Sequence, residues 1–245
     1  MAVLGGALTD PTVVFTVGVV LVPLVFVEDG AAAMRYLGTP MMLASLALLA
    51  LVVGVTHYGG KTVQVGATER RIAFWFLMNG VYFNLFLDVV SGQFQLMDEM
   101  SRQYYKVEPR YALGLLSPAG APVFMTSMLE LFFQAPFGIL TYFAIHRGLP
   151  HRHLAAFFVS VLHATGVWYF YIPEALSGFP HLGGWPQSPE EGLSFDRLLF
   201  FWFGFWFCGI LWIVIPYLIA RRSWREIAVA VSEYERSARR KHKQI

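Results

Sequence analysis

Charge is scarce in this sequence. Asp, Glu, Lys and Arg make up 14% of its 245 residues, against about 25% in a soluble domain, and that deficit excludes an ordinary water-soluble globule. Cysteine is scarcer still. Cys208 stands alone in an apolar run, which excludes an internal disulfide and any metal site built from several thiolates. His57, His146, His151 and His153 gather near the ends of apolar segments, but without HExxH or carboxylate spacing, so no metal is expected. GxSxG, P-loop and dinucleotide fingerprints are absent, and no cofactor and no nucleic-acid partner is expected. No basic stretch precedes the first apolar run near Pro11, so that run reads as a retained helix rather than a cleaved signal. Internal repeats and low-complexity linkers are also missing.

What is abundant is apolar. Hydrophobic residues make up 56% of the chain and aromatics 16%, and the mean hydropathy is +0.54. Six apolar segments can be drawn, roughly 11–28, 40–57, 73–95, 121–146, 154–174 and 197–220, each approaching the ~20 residues of a spanning helix. The expected fold class is all-α, a polytopic membrane helical bundle. Lys61, Arg70, Arg71, Arg147, Arg152, Arg221, Arg222 and Arg225 fall in alternate connections and the tail, whereas 175–196 holds Glu190, Glu191 and Asp196 and no Lys or Arg. The positive-inside rule then places both termini in the cytoplasm. The connection 96–120, with its QYYKVEPRYALG, reads as ordered, and 175–196 reads as an outer-side cap. The tail 223–240 reads as a short amphipathic surface helix or as a solvated basic tail.

Two carboxylates break the apolar runs. Asp88 interrupts FWFLMNGVYFNLFLDVV and Glu130 interrupts PVFMTSMLELFFQAPFGILTYF. A charge at membrane depth costs several kcal/mol, so such residues usually face a protein interior and carry function. Counted from the segment ends, both acids sit roughly 10–14 Å below the outer surface at 1.5 Å per residue, which suggests one shared cavity. Asn84 lies one turn before Asp88 on the same face. Thr126, Glu130 and Gln134 form a similar stripe, and His163 lies inside the fifth segment, with Trp206 and Trp212 inside the sixth. The bland alternative for Asn84, Thr126 and Gln134 is interhelical hydrogen bonding, worth about 0.6–2 kcal/mol each. A buried carboxyl can donate a proton while a second carboxylate accepts one, and an aromatic such as Trp212 can stabilise a cation. That combination suits chemistry on an apolar, membrane-dissolved alkene.

The fragments YYKVEPRYALG, MLELFFQAPFG, VSVLHATGVWYFYIPE and FWFGFWFCGILWIVIP, in this order, resemble the emopamil-binding protein family, the sterol 8,7-isomerases of the EXPERA group, over roughly residues 40–222. The resemblance implies a five-helix isomerase-like core at 40–222. Residues 1–39 add one further N-terminal helix and its connection, and 223–245 form a basic cytoplasmic tail. It also implies a sterol that enters a membrane cavity, is protonated on a ring alkene to a tertiary carbocation, and loses a neighbouring proton so that the double bond shifts. Glu130 matches the acid of the family's second catalytic helix, and Trp212 matches the tryptophan beside the cation. The family's His and Glu four apart are represented by Asn84 and Asp88, after a one-residue gap relative to Gly80; without the gap, Phe83 and Leu87 fall there. Gly209 replaces an Asn of the last helix, and His163 stands where a Gln is usual.

The expected catalytic residues are thus Glu130, Asp88, Trp212 and Asn84, with Gln134, Thr126, His163, Phe133, Gly209 and Phe170 expected against the substrate. The departures from the family pattern imply a substrate that need not be the standard sterol, a triterpenoid or other polycyclic lipid being plausible. The competing expectations are a non-catalytic sterol-binding or transport protein and a carbocation-type terpenoid cyclase. Membrane lipids are expected neighbours, and a homodimer is a further partner expectation. The C-terminal KHKQI resembles a dilysine retrieval signal of the endoplasmic reticulum membrane.

Overall fold

The structure, a computed structural model, describes residues 10, 13–14, 17, 38–58 and 65–242. Six helices account for most of this: α1 (Pro40–Tyr58), α2 (Ala67–Gln93), α3 (Asp98–Val107), α4 (Gly120–His146), α5 (Arg152–Leu176) and α6 (Arg197–Lys241). No strand occurs among the described residues. By length and apolar content α2, α4, α5 and α6 can each cross a membrane, and α1 holds a shorter apolar stretch, Met42–Thr56. The molecule is an all-α membrane helical bundle. Large apolar side chains such as Phe132, Leu140, Trp168 and Leu218 are exposed on its flanks, as a lipid-facing surface requires.

Local chemistry explains the ends. Pro40 opens α1, where a missing N–H costs nothing, and the Thr39 hydroxyl accepts from the Met42 N–H at 3.4 Å. α2 begins at Ala67, six residues before the apolar segment drawn from the sequence. Glu69 in its first turn suits the positive end of the helix dipole, and polar residues wind as readily as apolar ones. Residues 96–120 are ordered, as the sequence suggested, by α3 and a 3₁₀ turn at Pro109–Leu113. α6 does not stop near residue 220 but runs on to Lys241, carrying the basic tail as one continuous helix.

Most of the expected extra helix at 11–28 lies outside the described residues. Val13 and Val14 are helical, and Val13 is buried in the main core. The expected signal at KHKQI also lies largely outside, since residues 243–245 are not described.

Helix packing is closest between α2 and α4. A Cβ added to Gly80 would lie 2.9 Å from the Ala135 carbonyl oxygen, and one added to Gly138 would lie 2.9 Å from that of Phe76. Small residues let membrane helices approach to this degree, where van der Waals contact replaces the missing hydrophobic drive. The main core around Phe74, Phe76, Met78, Tyr142 and Val159 forms between these helices, α1, α5 and α6. A smaller cluster of Phe179, Phe201 and Phe205 lies under the 175–196 connection.

Three stretches wind more widely than an α-helix, in π-type turns: Met78–Gln93 in α2, Glu130–Gln134 in α4 and Arg197–Phe207 in α6. π-turns are rare and are often found at functional sites. In α4 the wide turn directly precedes Pro136, whose ring would otherwise clash with the carbonyl four residues earlier. All three stretches border the same cavity.

Candidate active site

The cavity measures about 600 Å³, within the range of small-molecule sites. Its wall is mainly apolar, with Phe83, Leu87, Leu199, Phe200 and Phe203 among its lining residues. Asp88 and Glu130 open onto it together. Their carboxyl groups lie within hydrogen-bonding reach of each other. An ionised carboxylate can only accept hydrogen bonds, so direct contact between the two requires a proton on one of them. One Glu130 oxygen, Oε2, accepts no hydrogen bond from a donor group among the described residues.

Asp88 is held from outside its own helix. The Tyr104 hydroxyl on α3 donates to Asp88 Oδ1, and Tyr104 packs on Tyr111 with ring centroids 5.4 Å apart. Gly92 makes room for both rings, since a Cβ there would lie 3.1 Å from each. Burial, and then the neighbouring Asp88 charge, hold the Tyr104 phenol above its ordinary range, so it is a donor and not a phenolate.

Asn84 and Gln134 form a separate layer. Asn84 Nδ2 donates to Gln134 Oε1 at 3.4 Å, and Gln134 Nε2 donates to the Leu162 carbonyl at 3.2 Å. Asn84 itself does not line the cavity, whereas Gln134 does. The pair crosslinks α2, α4 and α5 and does not bond the acids. Gly166 admits the Gln134 amide, as a Cβ would lie 2.9 Å from its Nε2. Thr126 lines the cavity, but its hydroxyl donates to the Pro122 carbonyl at 3.0 Å.

Trp212 borders the cavity in a fixed pose. Its indole N–H donates to Asn79 Oδ1 at 2.7 Å, and Asn79 in turn donates to the Trp75 carbonyl at 2.8 Å. The ring meets Phe83 edge-on at 4.9 Å and Trp75 at 5.3 Å. Gly209 also lines the cavity, and the Tyr171 ring and hydroxyl occupy the space that a side chain there would need. Phe170 lies on the wall beneath the Arg110 guanidinium, 4.9 Å from its ring centroid. Phe133 does not belong to the site: it is 45% exposed on the outside of α4, because the wide turn that aims Glu130 and Gln134 inward leaves it facing lipid. His163 lines the cavity and is buried.

Several residues escaped the sequence reading. Tyr104, Tyr111, Tyr82 and Tyr171 line the cavity, yet tyrosines are too frequent here to stand out. A buried ionic cluster sits at the end of the bundle under the cap. Arg110, 1% exposed, binds Glu108 through two bonds of 2.6 and 2.7 Å and donates to the Phe170 carbonyl at 2.7 Å. Glu174 lies 3.6 Å from Arg110 and bonds His181 Nδ1 at 2.8 Å. Burial raises the Glu108 pKa, while the Arg110 bonds oppose the rise. The two opposite charges flanking Pro109 were the available signal.

A polytopic bundle enclosing a lipid-sized apolar cavity with a carboxyl pair in its wall defines a membrane protein built to receive an apolar molecule. Comparison with known proteins gives the family. The EBP model, described as EXPERA (EXPanded EBP superfamily), matches residues 99–223, and the chain belongs to that family. It is 28% identical over 204 residues to the probable 3-beta-hydroxysteroid-Delta(8),Delta(7)-isomerase of Oryza sativa subsp. japonica, covering 78% of this chain and 82% of that protein. It is 23% identical over 163 residues to the 3-beta-hydroxysteroid-Delta(8),Delta(7)-isomerase of Cavia porcellus, covering 64% of each chain.

Proposed function

We propose that the protein is a membrane-embedded isomerase that shifts a carbon–carbon double bond in a sterol or triterpenoid-like lipid. The observation that carries this reading is the contact between Asp88 and Glu130 in the wall of an apolar cavity. A protonated carboxyl of the pair delivers its proton to one alkene carbon, and the π electrons form the new C–H bond. The neighbouring carbon becomes a carbocation. A carboxylate of the pair then removes a proton from an adjacent carbon, and that C–H bond becomes the new double bond. Substrate and product are isomers, so no co-reactant is consumed. The direct contact lets the proton pass between the acids, which resets them for another turnover.

The other groups have supporting roles. Tyr104 positions Asp88 through its hydrogen bond. Trp212, locked by Asn79, presents a ring to the cavity and stabilises positive charge there. Asn84 and Gln134 hold the helices that carry the acids. The names of the two relatives support a sterol-type substrate. Residues 67–71, 147–152 and 221–225 share one end of the bundle, as the 3.8 Å approach of Arg152 to Glu69 illustrates. Under the positive-inside rule that end is cytoplasmic, and the endoplasmic reticulum membrane is the proposed location.

The test separates turnover from binding. Glu130→Gln and Asp88→Asn keep the shape of each side chain and remove its proton chemistry. Each variant should bind a labelled sterol as the parent does and lose turnover by about 10²-fold or more. Unchanged turnover in both variants contradicts the assignment of the proton transfers to the carboxyl pair. Binding with no turnover in the parent itself points instead to a lipid-binding protein.

A further inference from the structure

The apolar span of α6 ends at Arg221 and Arg222, yet the helix continues unbroken to Lys241, about 30 Å further at 1.5 Å per residue. On that stretch Val231 is 51% exposed and Tyr234 75% exposed. Trp224 meets Phe157 of α5 at a ring distance of 5.8 Å and is still 61% exposed. Apolar side chains that face lipid need no protein partner. In a row on a helix that has left the membrane, they mark a docking face.

The spacing identifies that face. Ile210, Tyr217, Trp224 and Val231 are all exposed, each seven residues from the next, and Ala238 continues the series. Ile227 and Tyr234 follow Trp224 and Val231 by three, which completes the alternation of three and four that a coiled coil requires. The charges respect it. Arg225, Glu226, Glu233 and Arg236 fall on the outer positions of the repeat, and only Glu235 flanks the seam, beside the small Ala228 and Ala230. A strict repeat of seven drifts by about 20° per heptad around a straight helix. A second helix that supercoils follows this drift, and a flat bilayer surface does not.

The bilayer selects the occupant. Two copies of this chain in one membrane send α6 out of the same face in the same direction. Their tails therefore meet parallel and in register, Trp224 against Trp224 and Val231 against Val231. Two heptads are too few to hold free helices together in water, but confinement to one membrane raises their effective concentration. The family match ends at residue 223, so the seam lies outside the part of the chain that carries the carboxyl pair.

We propose that residues 224–238 of α6 form a parallel two-stranded coiled coil with a second copy of this chain, joining two proteins side by side in one membrane.

The test uses the full chain, one dye per chain, in phosphatidylcholine vesicles at falling protein-to-lipid ratio, with dimers counted as two-step photobleaching events. The parent should show a dimer population that dissociates on dilution. Val231→Arg should weaken it by about tenfold or more, because it forces a charge into the seam. Val229→Arg is the matched control. Val229 is 55% exposed and, two residues from Val231, points about 200° away from it, so this variant should stay within about twofold of the parent. Mild oxidation should join Val231→Cys chains by a disulfide, while Val229→Cys chains stay at the level that Cys208 alone gives. The crosslink stands as a readout even if an arginine variant fails to fold. A parent that bleaches in single steps at every ratio overturns the proposal. So do arginine variants with equal effects, or cysteine variants that crosslink alike.

Discussion

Asp88 and Glu130 come from different helices, and Asp88 is steered by a residue of a third. Tyr104 donates to Asp88 from α3, a helix that runs outside the apolar spans. Removing that hydroxyl while keeping the ring isolates the positioning effect. Tyr104→Phe should retain sterol affinity and lower turnover by about tenfold, less than loss of either acid, in a side-by-side kinetic and binding assay. The two carboxyls were legible in the sequence because charge inside an apolar run is rare. Their tyrosine partner was not, since one aromatic among so many carries no positional signal. Trp212 was named from its match to a family, but the Asn79 side chain that fixes it sits 133 residues away. Phe133 was misplaced because adjacency to Gln134 along the chain says nothing about facing once the helix widens.

The helices themselves were readable from their apolar runs, and their winding was not. The resemblance implied a one-residue gap between Gly80 and the Asn84 and Asp88 positions. It falls inside the π-wound stretch Met78–Gln93, where wider turns absorb an extra residue without breaking the helix. Hydrophobic periodicity is averaged over a window and does not reveal such a local change of pitch. Close packing between α2 and α4 yields a direct prediction. Gly138→Ala places a methyl against the Phe76 carbonyl and should destabilise the protein by about 1–3 kcal/mol, read as a lower midpoint in detergent unfolding. The 175–196 connection was expected to be a cap from its richness in Gly and Pro, and the structure supplies its internal bonding. Glu191 accepts from the Gln187 N–H at 2.8 Å and from Arg197 at 2.6 Å, and these bonds, the backbone one first, hold its carboxyl below its ordinary value of 4.5. A depressed folded-state pKa means that the contribution is fully present above about pH 4.5 and fades as pH falls through the lower folded value. Exchange of the Gln187 amide should therefore stay protected at pH 6 and lose protection, relative to core amides, only as pH falls below the ordinary carboxylate value of 4.5.

The molecule as a whole is a bundle whose outer faces are apolar and whose carboxyl pair is withdrawn into a cavity of about 600 Å³. That contrast was visible in outline from the sequence: few charges, long apolar runs, and two acids inside them. The ionic cluster of Glu108, Arg110, Glu174 and His181 was not, because it joins segments more than 60 residues apart and only tertiary folding brings them together. The central claim is that the carboxyl pair adds a proton to one carbon of a ring alkene and removes another nearby. Incubating membranes that contain the protein with a panel of sterols and triterpenoids in deuterated water measures this directly. The account predicts one deuterium at a single ring carbon of a product whose double bond has moved, with no label when Glu130 is replaced by Gln. A panel in which no lipid gains deuterium or shifts its double bond contradicts it.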